Sequence, residues 1–149
     1  SLSWAPIVEP LRLRSDSKGD GKYGASRSGG TRKHQGIDLI VTPGQKVFAP
    51  FRSKVVRYAS PYGNADTRFS GILIQGLDEW SDYNIKIFYM IPSVAVGSEI
   101  PQGGQIGKAQ AISTKYGSAM LDHIHVEVRE NENLIDPSTL IYGYYSLHT

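Results

Sequence analysis

Three of the four histidines in the chain occur in two short patterns of metal-ligating side chains. In the first pattern, His34 and Asp38 are four residues apart, and an even separation in extended chain points both side chains to one face. In the second, His123 and His125 stand on either side of one apolar residue, which places both imidazoles on the same face of a strand. The fourth histidine, His148, lies beside the C-terminus and is interpreted as a tail residue.

Two such strands, paired in one sheet, predict a zinc site with an open coordination position. His34, Asp38 and either His123 or His125 would supply two nitrogens and one oxygen, the three protein ligands typical of catalytic zinc. The spacing does not decide between His123 and His125. Because the chain has no cysteine, any metal must bind histidine or carboxylate, a combination that suits Zn²⁺. Each pattern alone is weak, since two histidines on one strand more often form a solvated face.

The elements that must position these residues are short strands between turn signals. The turn signals include Thr-Pro-Gly, Pro-Tyr-Gly-Asn and Pro-Gln-Gly-Gly, and the apolar periodicity of an amphipathic helix is missing. The sequence therefore predicts an all-β domain with an antiparallel sheet core, and one turn of helix after Asp136-Pro137. The predicted strands are Ile37–Val41, Lys46–Ala49, Lys54–Tyr58, Gly71–Gln75, Asn84–Met90, Gln105–Ala111 and His123–Val128.

Length and composition indicate one globular domain. The chain has 149 residues, of which 40% are hydrophobic, and no apolar run approaches the roughly 18 residues of a membrane span. We expect an N-terminal arm over residues 1–21 and a zinc domain over residues 22–149. Residues 1–33 are basic and could meet an anionic surface, but the serines and glycines among these charges favour a solvated leader. No basic block with interleaved aromatic residues indicates nucleic-acid binding, and no leader for export is visible at Ser1.

The motifs together resemble those of the lysostaphin-type (LytM-like) zinc metallopeptidases. That family carries His-x-x-x-Asp, then Gly-x-x-Val-x-Ala-Pro, a late Gly-x-x-Ile-Gly and a terminal His-x-His. This chain has His34 to Asp38, Gly44 to Pro50, Gly104 to Gly107 and His123 to His125 in the same order. The resemblance covers about residues 22–140 and extends to the secreted chemotaxin branch found in animals, although that branch has cysteines and this chain has none.

The resemblance implies His34, Asp38 and His125 as zinc ligands and His123 as a catalytic histidine beside the metal. Active members of the family carry a further histidine in a Tyr-x-His-Leu segment, and the resemblance places Met90 of Phe88-Tyr89-Met90-Ile91-Pro92 in its position. A thioether neither shuttles a proton nor donates a hydrogen bond to an oxyanion. Peptidase activity is therefore doubtful, because one positioned acid or base group typically contributes about 10²–10⁴ in rate.

Two classes of function follow from the resemblance. The first is a secreted, zinc-containing recognition protein that binds a glycan or a cell-surface receptor without hydrolysis. The second is a working zinc endopeptidase that cleaves peptidoglycan cross-bridges. Exposed aromatic rings suit saccharide binding, whereas tyrosine is also a common packing residue of strands. The candidate rings are Tyr62, Trp80, Tyr83, Tyr116, Tyr142, Tyr144 and Tyr145.

Overall fold

The structure, a computed structural model, describes residues 3–27 and 32–142. Short strands dominate these residues, with little helix between them. The strands are β1 (Ser15–Asp16), β2 (Gly19–Asp20), β3 (Ser26–Arg27), β4 (Arg32–Lys33), β5 (Ile37–Ile40), β6 (Lys46–Phe48), β7 (Ser53–Ala59), β8 (Gly71–Gly76), β9 (Tyr83–Phe88), β10 (Met90–Pro92), β11 (Glu99–Ile100), β12 (Gln105–Ala109), β13 (His123–Glu130) and β14 (Asn133–Ile135). The helices are a 3-10 turn (Asp78–Trp80), α1 (Ser113–Tyr116) and residues 138–142.

A seven-stranded antiparallel sheet forms the centre of the fold. Its main path runs β11-β7-β8-β9-β13-β14, and β5 pairs with the first half of β13. β13 therefore has β9 on one side and β5 followed by β14 on the other. A second, three-stranded antiparallel sheet has the order β10-β12-β6.

The register of β13 decides which side chains meet. His125 lies opposite Asp38 of β5 and opposite Phe88 of β9. Directly opposed residues of an antiparallel pair point to the same face of the sheet, with Cβ atoms about 4.5–5.5 Å apart. The two patterns found in the sequence are thus brought together by strand pairing.

The hydrophobic core lies on the other face of β13. Ile124, Val126 and Val128 are fully buried there, between the histidines and glutamate that face the site. The core also includes Trp4, Ile7 and Val8 from the beginning of the chain, while the division into an arm over 1–21 and a domain over 22–149 stays a prediction.

The predicted fold class is confirmed, and the seven predicted strands all occur within one or two residues of their expected bounds, with one interruption. The segment predicted as Asn84–Met90 breaks at Tyr89, whose φ of 69° lies in the left-handed region. The chain therefore leaves the large sheet after Phe88 and enters the small sheet at Met90. The helical turn predicted after Asp136-Pro137 is also present, beginning at residue 138.

The sequence patterns missed the short pairs β1–β2 and β3–β4, the edge strand β11 and the hairpin strand β14. Each of these strands has only two or three residues, too few for a repeat of alternating polarity. Within the described residues, no helix is both long enough and apolar enough to cross a membrane.

Candidate metal centre

Three predicted ligands converge where β5 meets β13. His34 Nε2 lies 2.9 Å from His125 Nδ1, His125 Nδ1 lies 2.9 Å from Asp38 Oδ1, and His34 Nε2 lies 3.1 Å from Asp38 Oδ1. All three side chains are at most 11% exposed. Ligands about 2.0 Å from a tetrahedral zinc are about 3.3 Å from one another, so the observed triangle fits zinc to within a few tenths of an ångström.

Hydrogen bonds at the far side of each imidazole set which nitrogen faces the centre. His34 Nδ1 donates to the Lys22 carbonyl at 3.0 Å, which leaves the Nε2 lone pair for a metal. His125 Nε2 donates to Glu127 Oε2 at 2.9 Å, which leaves the Nδ1 lone pair of His125 for the metal. Partners of this kind fix the ring orientation and raise the basicity of a metal-binding imidazole.

The approach of β5 to β13 depends on Gly36, which lies between His34 and Asp38. A Cβ at Gly36 would lie 2.2 Å from the Val126 carbonyl oxygen, well inside van der Waals contact. Any larger residue would force the two strands apart and separate the three ligands. The glycine within His-Gln-Gly-Ile-Asp thus has a packing function in the site.

The electrostatics of the cluster match a cation site. Burial alone would raise the pKa of the Asp38 carboxyl, but hydrogen bonds from His125 and His34 hold that pKa well below its ordinary value. Burial also opposes protonation of His125, yet the hydrogen bonds to Asp38 and Glu127 outweigh it and raise the pKa of His125 to about 9. The buried carboxylates therefore attract positive charge to this point, and a bound metal would replace a proton there.

The second histidine of β13 lies beside the ligand triangle and is not part of it. His123 Nε2 is 3.7 Å from Asp38 Oδ2, and His123 Nδ1 donates to the Leu121 carbonyl at 2.8 Å. Burial lowers the pKa of His123 despite the nearby Asp38 charge, which favours the neutral ring, and the bond from Nδ1 to Leu121 then leaves the lone pair on Nε2. Between the two histidines left open by the spacing, the geometry favours His125, whose Nδ1 lies within 4.8 Å of the donor atoms of His34 and Asp38 in a group that could hold a metal.

Met90 does not lie at the centre. Its side chain is fully buried in the core, where its Cε would lie 2.3 Å from a Cβ placed on Gly107. Counted from Tyr89, the histidine of Tyr-x-His-Leu corresponds to Ile91, which is 58% exposed. The assignment of that position to Met90 is therefore corrected to Ile91, and both residues are apolar.

Aromatic side chains form one wall of the cleft beside the metal centre. The Tyr62 and Tyr116 hydroxyls lie 2.6 Å apart, and the Tyr89 ring meets the His123 ring edge to face with centroids 5.4 Å apart. Lys115 Nζ lies 4.4 Å from the centre of the Tyr62 ring. The cleft has a volume of about 1090 Å³, and Tyr23, Tyr62, Tyr89 and Tyr116 line it together with His34 and His125.

The other candidate rings are elsewhere. Trp80 and Tyr83 pack around Phe51 in the core, with centroids 5.3 and 6.2 Å from its ring, and the Tyr142 hydroxyl is buried. Tyr144 and Tyr145, like His148, lie outside the described residues. The packing interpretation therefore holds for Trp80, Tyr83 and Tyr142.

Three residues of the centre were missed by the sequence patterns. Glu127 continues the alternation of His123 and His125, so the strand periodicity contains a signal for it. Tyr89 lines the cleft at the break between β9 and β10, where its backbone is left-handed, and no sequence pattern indicates such a break. Arg14, which contacts Asp38, is one basic residue among seven in the first 33 and has no distinguishing signal.

Comparisons with known proteins agree with this geometry. Residues 32–137 match the model of Peptidase family M23. The chain is 32% identical to leukocyte cell-derived chemotaxin-2 of Bos taurus over 126 residues, which cover 85% of this chain and 76% of that protein.

Solved structures show the same fold. The antimicrobial peptidase lysostaphin from Staphylococcus simulans aligns with a TM-score of 0.67 and 20% identity, over 97% of this chain and 55% of that chain. A zinc containing peptidase from Vibrio cholerae aligns with a TM-score of 0.63 and 18% identity, over 90% of this chain and 39% of that chain. This chain thus spans about half, or less, of the length of these two solved chains.

Proposed function

Because the chain belongs to peptidase family M23, we propose that it is a zinc-binding recognition protein that has kept the metal centre of a peptidase without its hydrolytic activity. His34 Nε2, Asp38 Oδ1 and His125 Nδ1 would hold the zinc. Bound zinc supplies a positive charge and an open coordination position at the floor of the cleft. The protein residues around it orient the ligand rings and bind the partner.

The observation that carries this proposal is the apolar pair Met90-Ile91 where the family's second histidine is expected. Among the residues that the structure describes, His123 is then the single imidazole beside the ligand triangle. A neutral His123 accepts one proton through Nε2, but no second imidazole lies beside it outside the ligand triangle among the described residues. The loss of one such group costs about 10²–10⁴ in rate.

The wall of tyrosines supports a glycan on a cell surface as the ligand class. Tyr62 and Tyr116 combine ring faces with hydroxyls, which is the mixture of apolar and polar contact that a saccharide requires. Glu127 and Lys33, which also line the cleft, add charged hydrogen-bonding groups. The similarity to chemotaxin-2 supports secretion of this chain and leaves a protein receptor as the competing partner.

Retention of the complete ligand triangle and of His123 favours zinc endopeptidase activity on peptidoglycan cross-bridges as the second candidate. Under that function, His123 would act alone as the acid and base. The two candidates differ in one measurable property, which is chelator-sensitive turnover.

We expect the zinc-loaded wild type to release no peptide from pentaglycine substrates or Gram-positive cell walls. The substitution Ile91→His restores an imidazole at an exposed position and is expected to produce measurable turnover. The matched control Met90→His places the imidazole in the core instead, so it should reduce stability and add no activity. Peptide release measured with and without a chelator decides the matter, and chelator-sensitive cleavage by the wild type would refute the proposal.

We also expect the wild type to bind a subset of an array of cell-surface and bacterial glycans. Tyr62→Ala should weaken that binding about 2- to 10-fold, since loss of one aromatic contact costs about 0.5–1.5 kcal/mol. Tyr58→Ala is the control, because Tyr58 is 50% exposed on β7 and does not line the cleft. If no glycan binds while a receptor protein does, the ligand class is wrong.

A further inference from the structure

The beginning of the chain runs alongside β5 and brings one arginine to the metal centre. Leu13 bridges to Leu39, and the Arg14 amide donates to the Asp38 carbonyl at 2.9 Å. The Gly21 amide donates in turn to the Arg14 carbonyl at 2.8 Å. The backbone of Arg14 is therefore fixed next to Asp38 by bonds at both of its polar groups.

The guanidinium of Arg14 is held between two carboxylates. Arg14 Nη1 donates to Asp38 Oδ2 at 2.8 Å, while Nε and Nη2 donate to the two oxygens of Asp16 at 2.9 and 3.1 Å. The Arg14 side chain is only 4% exposed. A paired fork of this kind fixes the direction of a guanidinium as well as its charge.

The two oxygens of Asp38 consequently face different partners. Oδ1 faces His34 and His125, whereas Oδ2 faces Arg14 at 2.8 Å and His123 at 3.7 Å. We propose that Arg14 is a positioning residue that reserves Oδ2 of Asp38, so that Asp38 offers a metal one oxygen and the fourth coordination position stays open to a ligand. This inference rests on the proposed zinc site.

Asp16 makes this arrangement compatible with metal binding. Its carboxylate compensates the Arg14 charge, so the guanidinium can hold Asp38 without adding a net positive charge beside the zinc. Asp16 Oδ2 also accepts the Leu121 amide at 2.8 Å, which ties the first residues of the chain to the loop that precedes His123. Arg14 and Asp16 thus form a buried ion pair with no net charge, and this pair holds the guanidinium against Asp38.

The test compares the wild type with Asp16→Asn and with the double variant Arg14→Met/Asp16→Asn. The double variant removes Arg14 without leaving a buried, unpaired Asp16 carboxylate. The single variant removes only the Asp16 charge and keeps the hydrogen bond from Arg14 to Asp38. Zinc affinity is measured by competition with a chromophoric chelator, and coordination is followed by the visible absorption of the Co²⁺-substituted proteins. We expect the single variant to keep the Co²⁺ spectrum of the wild type, because Arg14 still holds Oδ2 of Asp38, while its zinc affinity falls because the Arg14 charge is no longer compensated. The double variant should lose about 10- to 100-fold in affinity, and its Co²⁺ bands should weaken as the freed Oδ2 adds a fifth ligand.

The Co²⁺ spectrum separates positioning from simple support of the fold. In the double variant, a fall in affinity with an unchanged spectrum would overturn the proposal, as would no change in either quantity. If circular dichroism shows that the double variant is unfolded, Arg14→Lys carries the test, because an ammonium keeps the charge but not the fork, and an intermediate spectrum is expected. A wild type that takes up neither Zn²⁺ nor Co²⁺ would instead refute the proposed zinc function, and this inference with it.

Discussion

His34→Ala is expected to abolish stoichiometric zinc binding and to lower the melting temperature relative to the zinc-loaded wild type. The substitution removes one of three donor atoms that lie 2.9–3.1 Å apart, and two ligands do not retain zinc. Metal that binds only the folded state adds about 4 kcal/mol at a free concentration of 1,000 times Kd. For a domain of this size about 1 kcal/mol corresponds to about 2–4 °C, so we expect a loss of about 10 °C. Elemental analysis and calorimetry measure the two effects.

The control for this prediction is His123→Ala. His123 is on the same strand, two residues before His125, but lies outside the ligand triangle, so its removal should leave the zinc content near one per chain. Chelator should lower the melting temperature of the wild type and of His123→Ala, but not that of His34→Ala. One zinc per chain in His34→Ala would contradict the site.

Trp4→Ala is expected to destabilise the fold by about 3–5 kcal/mol, the usual cost of deleting a buried large aromatic side chain. Trp4 is 2% exposed and packs edge to face on Phe51 and Tyr83, with centroids 5.2 and 5.9 Å away. It joins the first residues of the chain to the core beneath the large sheet. Urea unfolding of the purified variants measures the loss.

Two substitutions in the same segment provide the comparison. Trp4→Phe should cost much less than Trp4→Ala, because the Trp4 Nε1 is buried without a hydrogen-bond partner in the described part of the chain and its removal sacrifices no bond. Leu13→Ala should change the stability little, since Leu13 is 36% exposed. If Trp4→Ala matches Leu13→Ala, residues 1–21 are an appendage rather than part of the folded domain.

Strand periodicity was sufficient to predict the pairing that builds the metal centre. Asp38 and the His-x-His strand follow the two-residue repeat, which is kept on folding because one face of β13 is buried in the core. His34 lies before β5, outside any strand, and meets the other two ligands through the irregular residues 34–36. The choice between His123 and His125 depended on register, which places His125 opposite Asp38. Register is a property of two strands together and is invisible in either pattern alone.

Tyr89 shows where the sequence failed and why. Its left-handed backbone turns the chain from the large sheet into the small sheet. The alternation of side chains between the two faces of β9 therefore ends at Phe88 and does not continue to Met90. Met90, which the resemblance placed at the position of the family's second histidine, is a core residue of the small sheet. Arg14 is a failure of another kind, since it reaches Asp38 through a tertiary contact between residues 24 positions apart.

The course of residues 12–14 along β5 has a consequence for aggregation. The Ile40 and Arg14 amides bond to the Arg12 and Asp38 carbonyls at 2.8 and 2.9 Å, so the outer side of β5 is covered where it would otherwise expose unpaired amide and carbonyl groups. Such a bare strand edge is a template on which a second chain can add. Proteolytic loss of residues 12–14 would thus expose β5 as an unpaired edge strand and would also remove Arg14 from Asp38. The same cleavage would therefore promote aggregation and disturb the candidate metal centre.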